Sequence, residues 1–137
     1  MEFYDLRSMG EAGARPTIRT TGKSVMITIP NHLAQSAGLP DSGRVRLRIG
    51  ESGKHRAVRI SRSDSGVWSV TRRRNVLQIF VRELMPKGAV QLTDLDFRIT
   101  EDGLEVSLPS PWELANPHVV VRSGTGAGKP AQRQRSC

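Results

Sequence analysis

The fold is decided by the stretch Gly22-Lys-Ser-Val-Met-Ile-Thr-Ile-Pro-Asn-His-Leu-Ala-Gln-Ser-Ala-Gly-Leu39, because its hydrophobic period changes at one proline. Alternate residues before Pro30 are apolar and β-branched, which predicts a strand with one buried face. Pro30 has no N–H for a further ladder bond, and its fixed φ suits the start of a helix. Asn31 is the expected helix cap, and Gly38 supplies the left-handed residue that ends the helix. The stretch therefore predicts a strand, a proline corner and a two-turn helix.

The composition is typical of a small protein with one domain or two modules. Of its 137 residues, 36% are hydrophobic and only 4% aromatic, so we expect a core of Val, Ile and Leu. No apolar run reaches the ~18 residues of a membrane helix, and the first residues lack a signal-peptide pattern. Cys137 is the single cysteine, which agrees with a reducing compartment. We therefore expect a cytoplasmic protein.

The positive charge is concentrated in one part of the chain. The net charge is +8, and residues 16–66 carry nine Lys and Arg against three acids. Residues 67–115 are nearly neutral, whereas residues 116–137 carry four basic residues and no acid. An excess of this kind favours a polyanionic partner such as nucleic acid, and a protein that is associated with the nucleoid.

The elements around the opening stretch form a ββαββ module over residues 16–61. A short hairpin precedes the helix, and a second hairpin follows it, in which arginines alternate with apolar residues from Arg44 to Ile49. Residues 1–15 show no sustained period and are expected to be a flexible arm. Residues 62–66 have the composition of a linker.

Residues 67–115 repeat this order loosely, with a period of about 51 to 52 residues. Residues 71–75 take the place of the first hairpin turn, and Phe97 and Ile99 follow Val45 and Leu47 by 52 positions. This repeat predicts a second, degenerate module. The alternative is a single β domain of about six to eight strands whose hairpins resemble one another.

The end of the second module is marked by prolines at positions 109 and 111. Trp112 and Leu114 are expected to pack back against the module. Residues 116–137 are rich in Gly, Pro, Gln, Ser and basic residues, which predicts a disordered basic tail.

The region from Thr17 to Ser61 resembles the AbrB/MazE/SpoVT family of swapped-hairpin DNA-binding domains. The resemblance lies in a turn with Gly22 and a basic residue, a strand ending at Ile29-Pro30, a short helix ending at Gly38, an acidic-glycine loop and an alternating hairpin. It implies a mostly β protein with short helices, in which tandem ββαββ swapped-hairpin units interleave their hairpins into a small barrel. It also implies a dimeric or pseudo-dimeric regulator of transcription that binds duplex DNA.

The resemblance points to Arg19 and Lys23 in the first hairpin as DNA-binding residues. The charge pattern adds further candidates, because arginines on one strand face repel one another and a phosphate backbone relieves that repulsion. These further candidates are Arg15, Arg44, Arg46, Arg48, Arg72, Arg73 and Arg74. For each arginine, the competing interpretation is an ordinary solvated face.

The sequence offers little for other functions. Gly22-Lys23-Ser24 ends like a phosphate-binding loop, but Thr17 stands where that loop needs a glycine. The three histidines are too far apart for a metal motif, so we expect neither a metal, a cofactor nor an enzyme. The alternative function is an antitoxin that binds a toxin protein and represses its own operon, although MazE-type tails are acidic and residues 116–137 are basic. We expect a homodimer or a higher homo-oligomer, and no contact with a membrane.

Overall fold

The computed structural model describes residues 1–4 and 15–121. One antiparallel sheet dominates it, and the helices are short. The elements in chain order are β1 (Thr17–Thr21), β2 (Ser24–Pro30), α1 (Asn31–Ser36), β3 (Gly43–Ser52), β4 (His55–Arg62), β5 (Trp68–Arg72), β6 (Val76–Val81), a 3-10 helix (Arg82–Leu84), β7 (Thr93–Asp94), β8 (Asp96–Thr100), β9 (Gly103–Ser107) and a second 3-10 helix (Pro117–Val119). The expectation of a mostly β protein with short helices is confirmed. Within the described residues, no helix has the length and apolar character needed to cross a membrane.

The opening stretch folds as its pattern predicts, with one difference at the helix start. The inward side chains of β2 are fully buried, and Pro30 is the last residue of the strand. Pro30 also occupies the helix N-cap position, so Asn31 is the first helical residue and its side chain does not cap the helix. The physical reason is that the Asn31 N–H is already bonded to the Asn75 carbonyl at 2.9 Å. Gly38 has φ +74° and ends the helix as expected.

The sheet nearly closes on itself as a barrel. Its strand order is β7, β1, β2, β6, β5, β3, β4, β9, β8. The two strands at its ends, β7 and β8, are consecutive in the chain and are separated only by Leu95, which is 1% exposed. The inward residues of all four hairpins therefore share one apolar core.

The two halves of the chain alternate around this sheet. The hairpin β1–β2 pairs with β7 on one side and with β6 on the other, and both partners come from residues 67–115. The hairpin β3–β4 likewise lies between β5 and β9. Neither hairpin of residues 16–66 pairs with the other, so each half completes the sheet of its counterpart.

The pairing registers relate the halves by an approximate two-fold axis. Ile27 pairs with Ile79 in the β2–β6 contact, and Arg59 pairs with Glu105 in the β4–β9 contact. The pair Ile18–Ile27 has its equivalent in Val70–Ile79, an offset of 52 residues in the first hairpins. In the β4–β9 contact the offset is 46 residues. The axis passes through the Ile27–Ile79 and Arg59–Glu105 pairs.

One predicted correspondence is wrong by two residues. The sequence period matches Val45 with Phe97, but β1 and β5 pair with the segments that begin at Thr93 and Gly43, which matches Val45 with Leu95. Val45 and Leu95 are buried, whereas Phe97 is 36% exposed. The connection between hairpins is two residues shorter in the second half, and β8 lies at the end of the sheet, so its inward side is incompletely covered.

The segment after β9 closes the core. Trp112 and Leu114 are buried, which confirms the expected packing. The Trp112 indole N–H donates to the Leu84 carbonyl at 2.9 Å, and Leu114 forms a β-bridge with Pro86. The tail predicted from residue 116 begins later, because the second 3-10 helix brings Val119 and the next residue against the core. The predicted arm lies largely, and the rest of the tail entirely, outside the described residues.

Candidate nucleic-acid interface

A row of side chains crosses the outer face of the sheet from β1 to β3. Arg19 on β1 pairs with Met26 on β2, and Met26 pairs with Phe80 on β6. Continuing this register places Ser69 of β5 beside Phe80, and Ser69 pairs with Arg44 of β3. All five residues alternate with buried neighbours, so their side chains point away from the core. The outer row therefore has an arginine at each end.

The middle of the outer row is apolar. Phe80 is 45% exposed although it lies in the middle of the sheet, and Met26 beside it is only 8% exposed. An exposed phenylalanine between two arginines gives the surface both a contact for a sugar or methyl group and charges for phosphates.

Lys23 and Arg46 extend the charge of the outer row. Lys23 is exposed in the tight turn between β1 and β2, which depends on Gly22 at φ +58°. Arg46 is exposed two residues beyond Arg44, on the same face of β3. The predicted alternation of this strand is confirmed.

These basic residues are not neutralised by the described part of the chain. Among residues 1–4 and 15–121, the side chains of Arg19, Lys23 and Arg46 have no hydrogen-bond or ion-pair partner. Arg44 donates only to the Gly66 carbonyl, at 3.5 Å. Asp64 is exposed on the loop near Arg44 and forms no ion pair with it. We call Arg19, Lys23, Arg44 and Arg46 the basic face.

Three other candidate residues are held by carboxylates of the opposite half of the chain. Arg15 bonds Asp96 at 2.6 Å, Arg48 bonds Asp102 at 2.8 Å, and Arg72 bonds Asp41 at 3.0 Å. Four of the six ion pairs among the described residues join the two halves in this way. The structure thus separates these arginines from the basic face and gives them a part in holding the halves together.

The remaining candidates lie at the other end of the first hairpins. Pro30 pairs with Val76, so the turn that carries Arg73 and Arg74 is next to the end of β2, whereas Lys23 is next to its start. The six residue steps of β2 separate the two turns by about 20 Å. Arg73 donates to the Gln78 side chain at 3.3 Å, and Arg74 has no partner among the described residues.

Two members of this surface are absent from the sequence-based candidates. Phe80 reaches the outer face because Leu77, Ile79 and Val81 face inward. Strict alternation over residues 76–81 is the signal that could have identified it. Arg82 is exposed directly after β6, close to the β1–β2 turn, and its side chain has no partner in the described chain. It adds a further cation beside Lys23.

Glu105 on the opposite outer face is surrounded by arginines. Arg59 donates to its carboxylate at 2.8 Å, and Arg98 donates at 3.1 and 3.2 Å. These hydrogen bonds, first from Arg98 and then from Arg59, lower the pKa of the Glu105 carboxyl, while partial burial opposes them. Both arginines are thereby engaged within the fold.

The lowered pKa predicts a pH dependence of stability. A carboxyl whose pKa is lower in the folded state stabilises the fold above its unfolded pKa, about 4.3 for Glu, and this contribution is lost as the pH falls through the folded value. Glu105→Gln should therefore lower the free energy of unfolding at pH 7, and the difference from the parent should shrink at about pH 3. Urea titrations at both pH values measure it; a difference that is equally large at pH 3 would contradict the assignment.

Other kinds of site are not evident in the described chain. Residues 1–4 and 15–121 contain no group of three or more His, Cys, Asp or Glu placed to hold a metal ion. A cavity of about 420 Å³ lies between β3, β5 and the second 3-10 helix, and its wall is largely apolar, with Leu47, Trp68 and Leu84 among its residues. The surface with the greatest unneutralised charge remains the basic face.

Comparisons with protein-family models, with curated proteins and with solved structures gave no match to this chain. The proposals below therefore depend on the sequence and on the geometry of the sheet.

Proposed function

We propose that the chain binds duplex DNA through the basic face and acts as a regulator of transcription. The observation that carries this proposal is that Arg19, Lys23, Arg44 and Arg46 are exposed, lie on one outer surface and have no acidic partner within the described residues. The carboxylates of the second half are largely engaged elsewhere, in ion pairs with Arg15, Arg48 and other arginines.

The chemistry of the basic face suits a duplex. Each cation that contacts a phosphate releases condensed counterions, which makes binding favourable and strongly dependent on salt. Arginine also forms bidentate hydrogen bonds with phosphate or with the guanine edge. The side chains project from paired strands, and such rigid positions favour defined contacts. Phe80 at the centre offers the apolar contact that thymine methyl groups accept.

The fold we propose is a tandem pair of AbrB-like swapped-hairpin modules, with residues 62–66 as the linker. The alternation of the two halves around the sheet and the near two-fold register support it. Pairing within one chain leaves no half without a partner, so one chain is a pseudo-dimer and needs no second copy to complete its sheet.

Removal of charge from the basic face should weaken DNA binding. We expect the double variant Arg44→Ala/Arg46→Ala to reduce the slope of log K against log salt by about two, because each phosphate contact contributes roughly 0.9. At about 0.1 M salt the affinity should fall at least tenfold on the same basis. Fluorescence anisotropy with a labelled duplex, measured over a series of salt concentrations, gives both quantities.

A matched control removes two lysines outside the basic face. Lys54 and Lys87 are exposed, and Lys54→Ala/Lys87→Ala changes the net charge by the same amount. This control should keep the parent slope. Equal loss of affinity in both double variants would show a general charge effect and contradict a defined site. Unchanged affinity in a folded Arg44→Ala/Arg46→Ala protein would place the site elsewhere.

A further inference from the structure

The approximate two-fold symmetry of the sheet does not extend to its outer charges. The first hairpins correspond at an offset of 52 residues, and the segments that pair with β1 and β5 correspond at an offset of 50 residues. These offsets identify the counterpart of each basic-face residue in the second half. Arg19 corresponds to Thr71, Lys23 to Asn75, Arg44 to Asp94 and Arg46 to Asp96.

The counterparts have the opposite character. Four cations on one side of the axis are replaced by two neutral residues and two carboxylates on the other side. Asp94 is exposed on β7, and its side chain has no partner among the described residues. Asp96 is held by Arg15 at 2.6 Å. A phosphate backbone placed over this second row would meet an unpaired negative charge.

The outer row has its own counterpart, and that row is neutral or acidic. It runs from Asp94 through Thr17, Thr28 and Gln78 to Thr71, and each neighbouring pair is in register. Arg73 and Arg74 lie beyond it in the second turn, but they correspond to Thr21 and Gly22 and so do not restore the symmetry. The two sides of the axis thus present different surfaces to a ligand.

From this asymmetry we infer that the protein recognises a single, non-palindromic segment of duplex DNA with one side of its pseudo-two-fold barrel. This inference rests on the proposed function. Palindromic operators mirror two equivalent protein surfaces, and here only one surface has the complementary charge. Arg19 and Arg44 are four strand spacings apart, about 19 Å. That span covers roughly six base pairs at about 3.4 Å per base pair.

The test selects bound duplexes from a random pool with the full chain and then footprints a selected duplex. We expect a short recognised sequence without dyad symmetry and one protected stretch per chain. Arg44→Ala should weaken binding of that duplex at least fivefold, whereas its counterpart Asp94→Ala should change the affinity by less than about twofold. Both positions are exposed, and circular dichroism checks that both variants fold.

Each outcome has a defined meaning. Selected sequences with a dyad, two protected half-sites, or Asp94→Ala binding several-fold more tightly would overturn the one-sided inference and leave DNA binding intact. A folded protein that enriches no duplex, even at low salt, would overturn the proposed function and the inference with it. A recognised sequence without a dyad, together with the unequal effects of Arg44→Ala and Asp94→Ala, would support both.

Discussion

Residues 1–66 expressed alone should not form a stable folded monomer. In the full chain, both hairpins of this half pair only with strands from residues 67–115. A fragment that ends at residue 66 keeps two separate hairpins, and an isolated two-stranded hairpin is marginally stable at best. It also exposes the inner face of β2, including Ile27 and Ile29, which are fully buried in the full chain. Circular dichroism and light scattering should show an unfolded or aggregating fragment.

Association of two such fragments is the competing outcome, and it has an identifiable cost. In a symmetric pair of fragments, Ile27 would meet its own copy, which is acceptable, but Arg59 would also meet its own copy instead of Glu105. Like charges directly opposite one another on paired strands are destabilising. We therefore expect any dimer of residues 1–66 to be weaker than the complex with the second half.

The matched control keeps both halves but cuts the connection between them. A protease site inserted between the exposed residues Asp64 and Ser65 allows the full chain to be cleaved after folding. The cleaved halves should remain associated, because strand pairing and four ion pairs hold them together. A folded monomer of residues 1–66, or halves that separate on cleavage and stay folded, would contradict interdependence of the halves.

The parts of the fold that depend on neighbouring residues could be predicted from the sequence. Strand β2, the corner at Pro30 and the glycine end at Gly38 follow from local pattern and backbone chemistry. The partner of each hairpin could not be predicted, because pairing such as that between Thr17 and Asp94 depends on residues distant in the chain. For the same reason the period matched Val45 with Phe97, since the shorter connection in the second half is invisible to alternation alone.

The candidate site was predictable in composition and only partly in arrangement. The charge pattern identifies Arg46 and Arg48 equally, but Arg48 meets Asp102, 54 residues away, and Arg46 meets no described acid. Which arginine is neutralised depends on contacts between the halves, and a single sequence does not reveal these. Phe80 shows the opposite case, because alternation within β6 was enough to place it on the outer face.

Gly103→Ala should be the most destabilising change that adds only one methyl group. The sequence Glu101-Asp102-Gly103 predicts a turn, and the structure has one, but Gly103 itself is the first residue of β9. A Cβ atom there would lie 1.9 Å from the Ile60 carbonyl oxygen and 2.9 Å from its carbon. Both are backbone atoms of β4, so no side-chain rotation relieves the contact, and the β4–β9 pairing must shift.

That shift would reach the interdependence of the halves, because β4 and β9 come from different halves and pair on the pseudo-two-fold axis. We expect Gly103→Ala to lower the free energy of unfolding by about 3 kcal/mol or more, the upper end of the usual cost of overpacking. Gly50→Ala is the matched control, since nothing lies within 4 Å of its Cβ position; it should stay within about 0.5 kcal/mol of the parent. Urea unfolding followed by tryptophan fluorescence measures both. Equal stability of the two variants would mean that β4 and β9 do not approach closely at Gly103, and the registration of the two halves would have to differ from the one described.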